Sequence, residues 1–196
     1  TTLENLRDTN HKRISDYFKK RIQDVAILAT NENLAQSMAT IDWIFRQAGK
    51  KAGGEKWTRV VDKQTPWLDR FQTAHNFENL YLISLRGDVF FTTSRGPDLG
   101  INLKTFRNKK TPLGQLYASA RKQVTFQDVK PTKKSDEKPL AYIGAPVRRD
   151  GKLVGVVAIS LSTNKLLAPI LSRDGLGKNG TIYLVGPDKK LRTDLL

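Results

Sequence analysis

The chain contains no cysteine, one methionine and only two histidines, His11 and His75. Without cysteine there are no disulfides, no thiolate metal ligands and no cysteine nucleophile, although this says nothing about redox compartment. The two histidines are far apart in sequence and neither has metal-ligand spacing, so surface or capping roles are expected of both. Acids are scarce, 19 Asp and Glu against 34 Lys and Arg, for a formal charge of +15. They are also scattered, so a paired acid/base site is unsupported. No apolar run approaches the ~20 residues that span a bilayer. No methionine opens the chain and no signal-peptide pattern follows Thr1, so the sequence is expected to be an excised piece.

Catalytic signatures are missing in the same way. No Gly-x-Ser-x-Gly elbow occurs. The stretch Gly175-Leu176-Gly177-Lys178-Asn179-Gly180 spells a G-x-G-x-x-G pattern. It is expected after a helix and before a strand, the reverse of the strand-turn-helix context that a dinucleotide fingerprint needs, and it reads as a hinge. No enzyme activity and no cofactor are expected.

What is present is a folding chain of 196 residues, with 38% hydrophobic and 27% charged side chains. That is enough for one domain and part of another. Leu3, Leu6, Ile14, Tyr17, Phe18, Ile22, Val25 and Leu28 recur at three-to-four spacing, which predicts a long first helix. Its stripe either packs on a twin helix in a dimer or lies across the chain's own sheet. Leu34, Met38, Ile41, Ile44 and Phe45 predict a second helix, stopped by Gly53-Gly54, and Pro66 suits the first turn of another.

The period then becomes strand-like. Asn79–Leu85 and Val89–Ser94 flank Arg86-Gly87-Asp88 as a hairpin, and Leu140–Arg148 and Lys152–Leu161 flank Arg149-Asp150-Gly151 as another. Between them a helix is expected from Thr111-Pro112-Leu113, a short strand at Val124–Asp128 and a polar loop at 130–139. A short helix at Asn164–Leu171, a Gly-rich linker and a last strand at Thr181–Val185 follow. Two hairpins in one antiparallel sheet with helices segregated around it make an α+β fold. The pattern Tyr81-Leu82-Ile83 with Gly87-Asp88 returns faintly as Tyr183-Leu184-Val185 with Gly186-Pro187-Asp188. The expected organisation is a leading helix (1–32), a first module (33–172), and a linker with the opening hairpin of a truncated second module (173–196).

The charge allows two readings, a nucleic-acid or anionic-surface binder or a diffuse surface property. Residues 101–138 hold ten Lys and Arg against three acids, the densest excess, yet no recognition helix, RNP sequence or zinc ligand set accompanies them. Aromatics are not interleaved with the cations as a stacking platform requires. Nucleic acid is therefore not the expected partner. It stands as the alternative, and a hydrolase with its site in a missing part is a second one.

The segment Leu80–Phe90 resembles the first hairpin of Cache (PAS-like) extracytoplasmic sensor domains of bacterial chemoreceptors, sensor histidine kinases and cyclases. Asp98-Leu99-Gly100-Ile101-Asn102-Leu103 is similar to the stretch that follows it in that family. Ala141–Val147 with Gly151 and Gly155–Ala158 resembles the closing hairpin, and 175–188 resembles the entry into the membrane-proximal module of double-Cache proteins. Ser84 stands where an acid is frequent, and Lys178, Asn179, Thr181, Lys189 and Lys190 also depart from the pattern. The Arg-x-Trp-Tyr signature of the amino-acid-binding subgroup is not visible near Trp57 or Trp67, so no contacts carry over from it.

The resemblance implies the periplasmic or extracellular portion of an inner-membrane receptor. It would bind a small molecule, for which the positive charge suits an anionic one, and would form a homodimer through the leading helix. Strand alternation puts Tyr81, Ile83 and Leu85 on one face, with Tyr142 and Gly144 sharing a face of their strand. Taken singly, each of these tyrosines reads first as a core residue with its hydroxyl satisfied. The candidate ligand set is Tyr81, Ile83, Phe91, Phe126, Tyr142 and Gly144, with Arg95, Asp98 and Asp128 as polar groups at the rim beside Gln127.

Overall fold

The computed structural model describes residues 2–129, 140–162, 171, 174, 176 and 180–192. The expected loop at 130–139, the body of the helix at 164–171 and most of the Gly-rich linker fall outside these residues. Four helices come first: α1 (Thr2–Ala29), α2 (Glu32–Gln47), α3 (Glu55–Gln64) and α4 (Pro66–Ala74). Asn31 caps α2, its side chain accepting from the Leu34 amide at 3.2 Å. Pro66 opens α4, where the missing N–H costs nothing.

The strands are β1 (Asn79–Ser84), β2 (Val89–Thr92), β3 (Thr125–Gln127), β4 (Leu140–Arg149) and β5 (Lys152–Ser162), with α5 (Pro112–Ala120) between β2 and β3. They form one antiparallel sheet in the order β2-β1-β5-β4-β3. Gly87 (φ 90°) turns β1 into β2, and Asp150 (φ 50°) with Gly151 (φ 73°) turns β4 into β5. Two consecutive left-handed residues match the twist of a tight hairpin.

The interior strand β1, between β2 and β5, is buried along its whole length because both faces of the sheet are covered. Leu80, Leu82, Ile143, Ala145, Val157 and Ile159 point to a core closed by the helices, which supply Val25, Leu28, Leu34, Met38, Ile41, Phe45 and Trp57. Tyr81, Ile83, Val156 and Ala158 point to a second, smaller core closed by Leu113, Leu116, Tyr117 and Ala120 of α5. The C-terminal half of α1 lies across the chain's own sheet through Tyr17, Phe18 and Ile22. Its N-terminal half is the more exposed, as the thin stripe there predicts.

Two differences from the sequence reading matter. The β1–β2 register runs Leu82 to Phe91 but Ile83 to Val89, so Phe90 is an inserted residue. Such a bulge reverses the alternation beyond it. Phe90 and Phe91 both enter the helical core, while Val89 enters the smaller one. The second difference is at 181–185, where no strand forms. A single bridge joins Val185 to Leu191, with the Gly186 amide donating to the Lys190 carbonyl at 2.9 Å. A two-residue-deep hairpin without a third strand has little to hold it in a ladder.

Candidate functional site

A cleft of about 520 Å³ opens on the α5 face of the sheet. The connection from β2 to α5 forms one wall, with Asp98, Ile101, Thr105, Arg107 and Asn108, and the start of α5 adds Thr111, Pro112 and Leu113. Tyr142 of β4 also lines it. Its ring lies 6.3 Å from that of Tyr81, tilted by 51°. The cleft therefore combines one aromatic ring, the apolar side chains of Ile101, Pro112 and Leu113 and a few polar groups, the usual anatomy of a small-molecule site.

The polar groups are held by the backbone around them. The Tyr81 hydroxyl donates to the Asp98 carboxylate at 3.3 Å. Burial raises the Asp98 pKa above the ordinary carboxylate value, against the opposing effect of the Tyr81 hydrogen bond. Burial likewise pushes the Tyr81 phenol up to about 12, so at neutral pH it stays a neutral donor. The Asn108 amide donates to the Asn102 carbonyl at 2.8 Å, and Asn102 donates to the buried Asp88 at 2.7 Å. Asp88 is also paired with Lys50 at 3.3 Å. This chain of contacts fixes the 102–108 wall to the β1–β2 turn. Thr111 caps α5, accepting from the Gly114 amide at 3.1 Å. A side chain on Gly114 would run into the Asn108 carbonyl and Lys109 Cα, so only glycine lets α5 seat the wall this closely.

The structure brings Tyr81, Asp98 and Tyr142 together. Ile83 and Gly144 lie beneath them in packed positions. Ile83 is fully buried, and a Cβ at Gly144 would stand 2.9 Å from Ala120 Cβ and 3.0 Å from Leu116 Cδ2. Gly144 thus admits α5 to the sheet. The remaining candidates are elsewhere. Phe91 belongs to the helical core on the other face, because of the bulge at Phe90. Arg95 pairs with Asp62 at 3.1 Å and lies over the Trp57 ring. Phe126 meets Phe18 of α1 edge-on at 5.2 Å. Asp128 is held by Arg192 at 2.8 Å, and Arg192 also pairs with Asp188 at 2.7 Å.

This last cluster ties the 185–191 turn to the end of β3. Arg192→Ala should release it, raising hydrogen exchange of the 184–192 amides about tenfold or more while the sheet amides keep their protection. Unchanged exchange in that segment would contradict the assignment. Thr105, Arg107, Asn108 and Thr111 were missed as site residues. The Thr-Pro helix start at 111–112 was readable, but nothing in the spacing of the long connection shows that it folds back over the sheet.

The sequence matches no family profile and no curated protein. Solved structures do share its fold. The sensor domain of the V. cholerae histidine kinase DctB superposes with a TM-score of 0.61 at 11% identity, over 88% of this chain and 59% of its own. The ligand-binding domain of the Campylobacter jejuni chemoreceptor Tlp3, in complex with 4-methylisoleucine, gives 0.62 at 15%, over 96% and 66%. That of the Pseudomonas aeruginosa amino acid chemoreceptor PctC, in complex with GABA, gives 0.57 at 17%, over 98% and 74%. At such identities the likeness is one of fold, and the chain spans less than two thirds of the length of the first two. The α+β architecture is shared with these sensor and ligand-binding domains.

Proposed function

We propose that the chain is the ligand-sensing part of an extracytoplasmic receptor domain and that its cleft takes a small molecule carrying an ammonium group. The observation that carries this reading is the half-buried Asp98 carboxylate, held by Tyr81 in a cleft that Tyr142 also lines. Arg107 and Asn108, which line the same cleft, suit a carboxylate at the ligand's other end, so an amphoteric molecule fits better than a simple anion. Relatives of the same fold hold amino acids and GABA in their ligand-binding domains, which supports the same size class. No group here is arranged for bond chemistry, and the output is a conformational bias.

The relay would run through α1, whose C-terminal half packs on the sheet and whose Arg21 donates to the His75 carbonyl at 3.0 Å. The parent protein is read as membrane-anchored, with this domain in the periplasm or outside the cell and paired with a second copy through α1. Among the described residues no helix is long and apolar enough to cross a membrane.

The test is a thermal-shift screen of amino acids, amines and organic acids on the wild type and on Asp98→Asn. A bound ligand raises the melting temperature as RT ln(1 + [L]/Kd) dictates. Asp98→Asn keeps the Tyr81 hydrogen bond but removes the charge, so affinity for an ammonium ligand should fall about ten- to hundredfold. A flat response to the whole panel, or equal binding by the variant, contradicts the reading.

The pH dependence has a definite sign. Because burial raises the Asp98 pKa, its charge costs the empty protein stability once the pH passes from the unfolded to the folded value. The empty Asp98→Asn protein should therefore melt no lower than wild type at neutral pH. Ligand affinity of the wild type is full above the raised pKa and falls as the pH drops through it. Affinity that rises on acidification would contradict the role of Asp98.

A further inference from the structure

The most exposed large apolar side chain among the described residues is Phe106, with 73% of its surface open. It sits in the sequence Lys104-Thr105-Phe106-Arg107-Asn108-Lys109-Lys110. The ammonium groups of Lys109 and Lys110 lie 5.3 and 4.1 Å from the centre of its ring. Lys104 is anchored beside it, donating to the Leu85 carbonyl at 3.0 Å. From residue 99 to 127 the chain has six Lys and Arg and no acid. Described acids around this stretch are engaged, and Asp98, which shares the cleft with Arg107, accepts from the Tyr81 hydroxyl at 3.3 Å. Asp88 is buried with Lys50 and Asn102, and Asp42 pairs with Arg46 at 3.2 Å. An open aromatic ring ringed by cations has no structural duty here, since Phe106 belongs to neither core.

The fold also says which way this patch faces. The β1–β2 turn lies beside the patch, since Asn102 donates to the Arg86 carbonyl. Strand pairing places Ser84 opposite Gly155 and Gly155 opposite Val147, so this turn is at the same end of the sheet as the Arg149-Asp150-Gly151 turn. That end also holds the α1–α2 junction, because Thr30 and Glu32 share a small polar depression with Arg148 and Asp150. The N-terminal half of α1 runs toward the opposite end, where Leu6 and Ile14 face the 181–184 segment. A helix of 28 residues is roughly 42 Å long. Under the membrane-anchored reading above, on which this step rests, the patch therefore faces away from the receptor's own bilayer. A second copy is a poor occupant, since it carries the same +15.

We infer that the 104–110 segment is a docking site for an acidic protein surface with an apolar seat for the Phe106 ring. An exposed aromatic centre with a charged rim is the common anatomy of such an interaction hot spot. Thr105, Arg107 and Asn108 of the same segment line the ligand cleft, so the occupant sits over the cleft mouth. Docking and ligand binding at the cleft are thereby coupled, and each changes the affinity for the other by the same factor.

The test uses the whole chain and a short fluorescent peptide rich in glutamate around a central leucine pair, titrated at low ionic strength. Its comparison probes are the same peptide with glutamine for glutamate, a DNA duplex, and vesicles containing phosphatidylglycerol. The variant is Phe106→Ser with Lys109→Glu and Lys110→Glu, none of which lines the cleft. The control, Lys19→Glu with Lys20→Glu, alters exposed charges on α1. The acidic peptide should bind, with affinity falling about tenfold or more in the variant and little in the control. Equal losses in variant and control would reduce the effect to diffuse charge and overturn the proposal. So would a failure of the acidic peptide to bind, or tighter, patch-dependent binding of DNA or vesicles. The ligand screen on the variant is read separately, so a failed docking test leaves the cleft reading standing and a failed screen leaves the docking result standing.

Discussion

Gly155→Val should lower the melting temperature by roughly 6–12 °C, the equivalent of about 3 kcal/mol for a chain of this size. A Cβ at this position would lie 2.5 Å from the Ile83 carbonyl oxygen and 2.6 Å from Met38 Cε. Methionine is adaptable and can withdraw, whereas the carbonyl belongs to an interior strand of the sheet and cannot. The cost is therefore backbone displacement between β1 and β5, the pair on which both cores are built. Gly155→Ala should show a smaller loss of the same sign. Adding Met38→Ala should recover little of it, because the carbonyl clash remains. Thermal or chemical denaturation of the three variants measures this. A Gly155→Ala protein as stable as wild type would mean that β1 and β5 are not this close.

The second large effect is expected of Trp57→Ala, at about 3–5 kcal/mol. Trp57 is 1% exposed in the helical core, and its indole N–H donates to the Phe90 carbonyl at 3.2 Å. Phe90 is the inserted residue of the β1–β2 bulge, so this side chain supports a place where the ladder is interrupted. Truncation leaves a cavity and a buried acceptor without its donor. Trp57→Phe separates the two contributions, since it keeps most of the volume and removes only the donor. It should cost about 1–2 kcal/mol. If both variants denature like the wild type, the placement of α3 on the sheet is wrong.

The architecture was largely legible because its signals are local. Two Asp-Gly and Gly-Asp turns, the Thr-Pro helix start and the alternating strands each depend on a few adjacent residues. The pairing of Tyr81 with Tyr142 on one face also follows from alternation, since both strands are regular on that side. Phe91 was misplaced because one inserted residue reverses the phase, and Phe90 and Phe91 are chemically identical to any pattern count. Arg95 and Asp128 look like rim groups in the sequence, but each has an ion-pair partner, Asp62 and Arg192, that only tertiary contact reveals. The wall at 101–111 was invisible for a related reason. It is irregular backbone held by Asn102, Asn108 and Asp88, and no periodicity marks it. The amphoteric ligand class proposed above rests on the cleft, which Asp98 and Arg107 both line, whereas net charge alone suggests an anion.

The measurement that bears most directly on the account is an amide chemical-shift titration of the isotope-labelled chain with amphoteric small molecules. The account predicts saturable shifts concentrated at 98–113 and around Tyr81 and Tyr142, lost in Asp98→Asn. Saturable shifts confined to any other part of the chain, or none across the series, would contradict it.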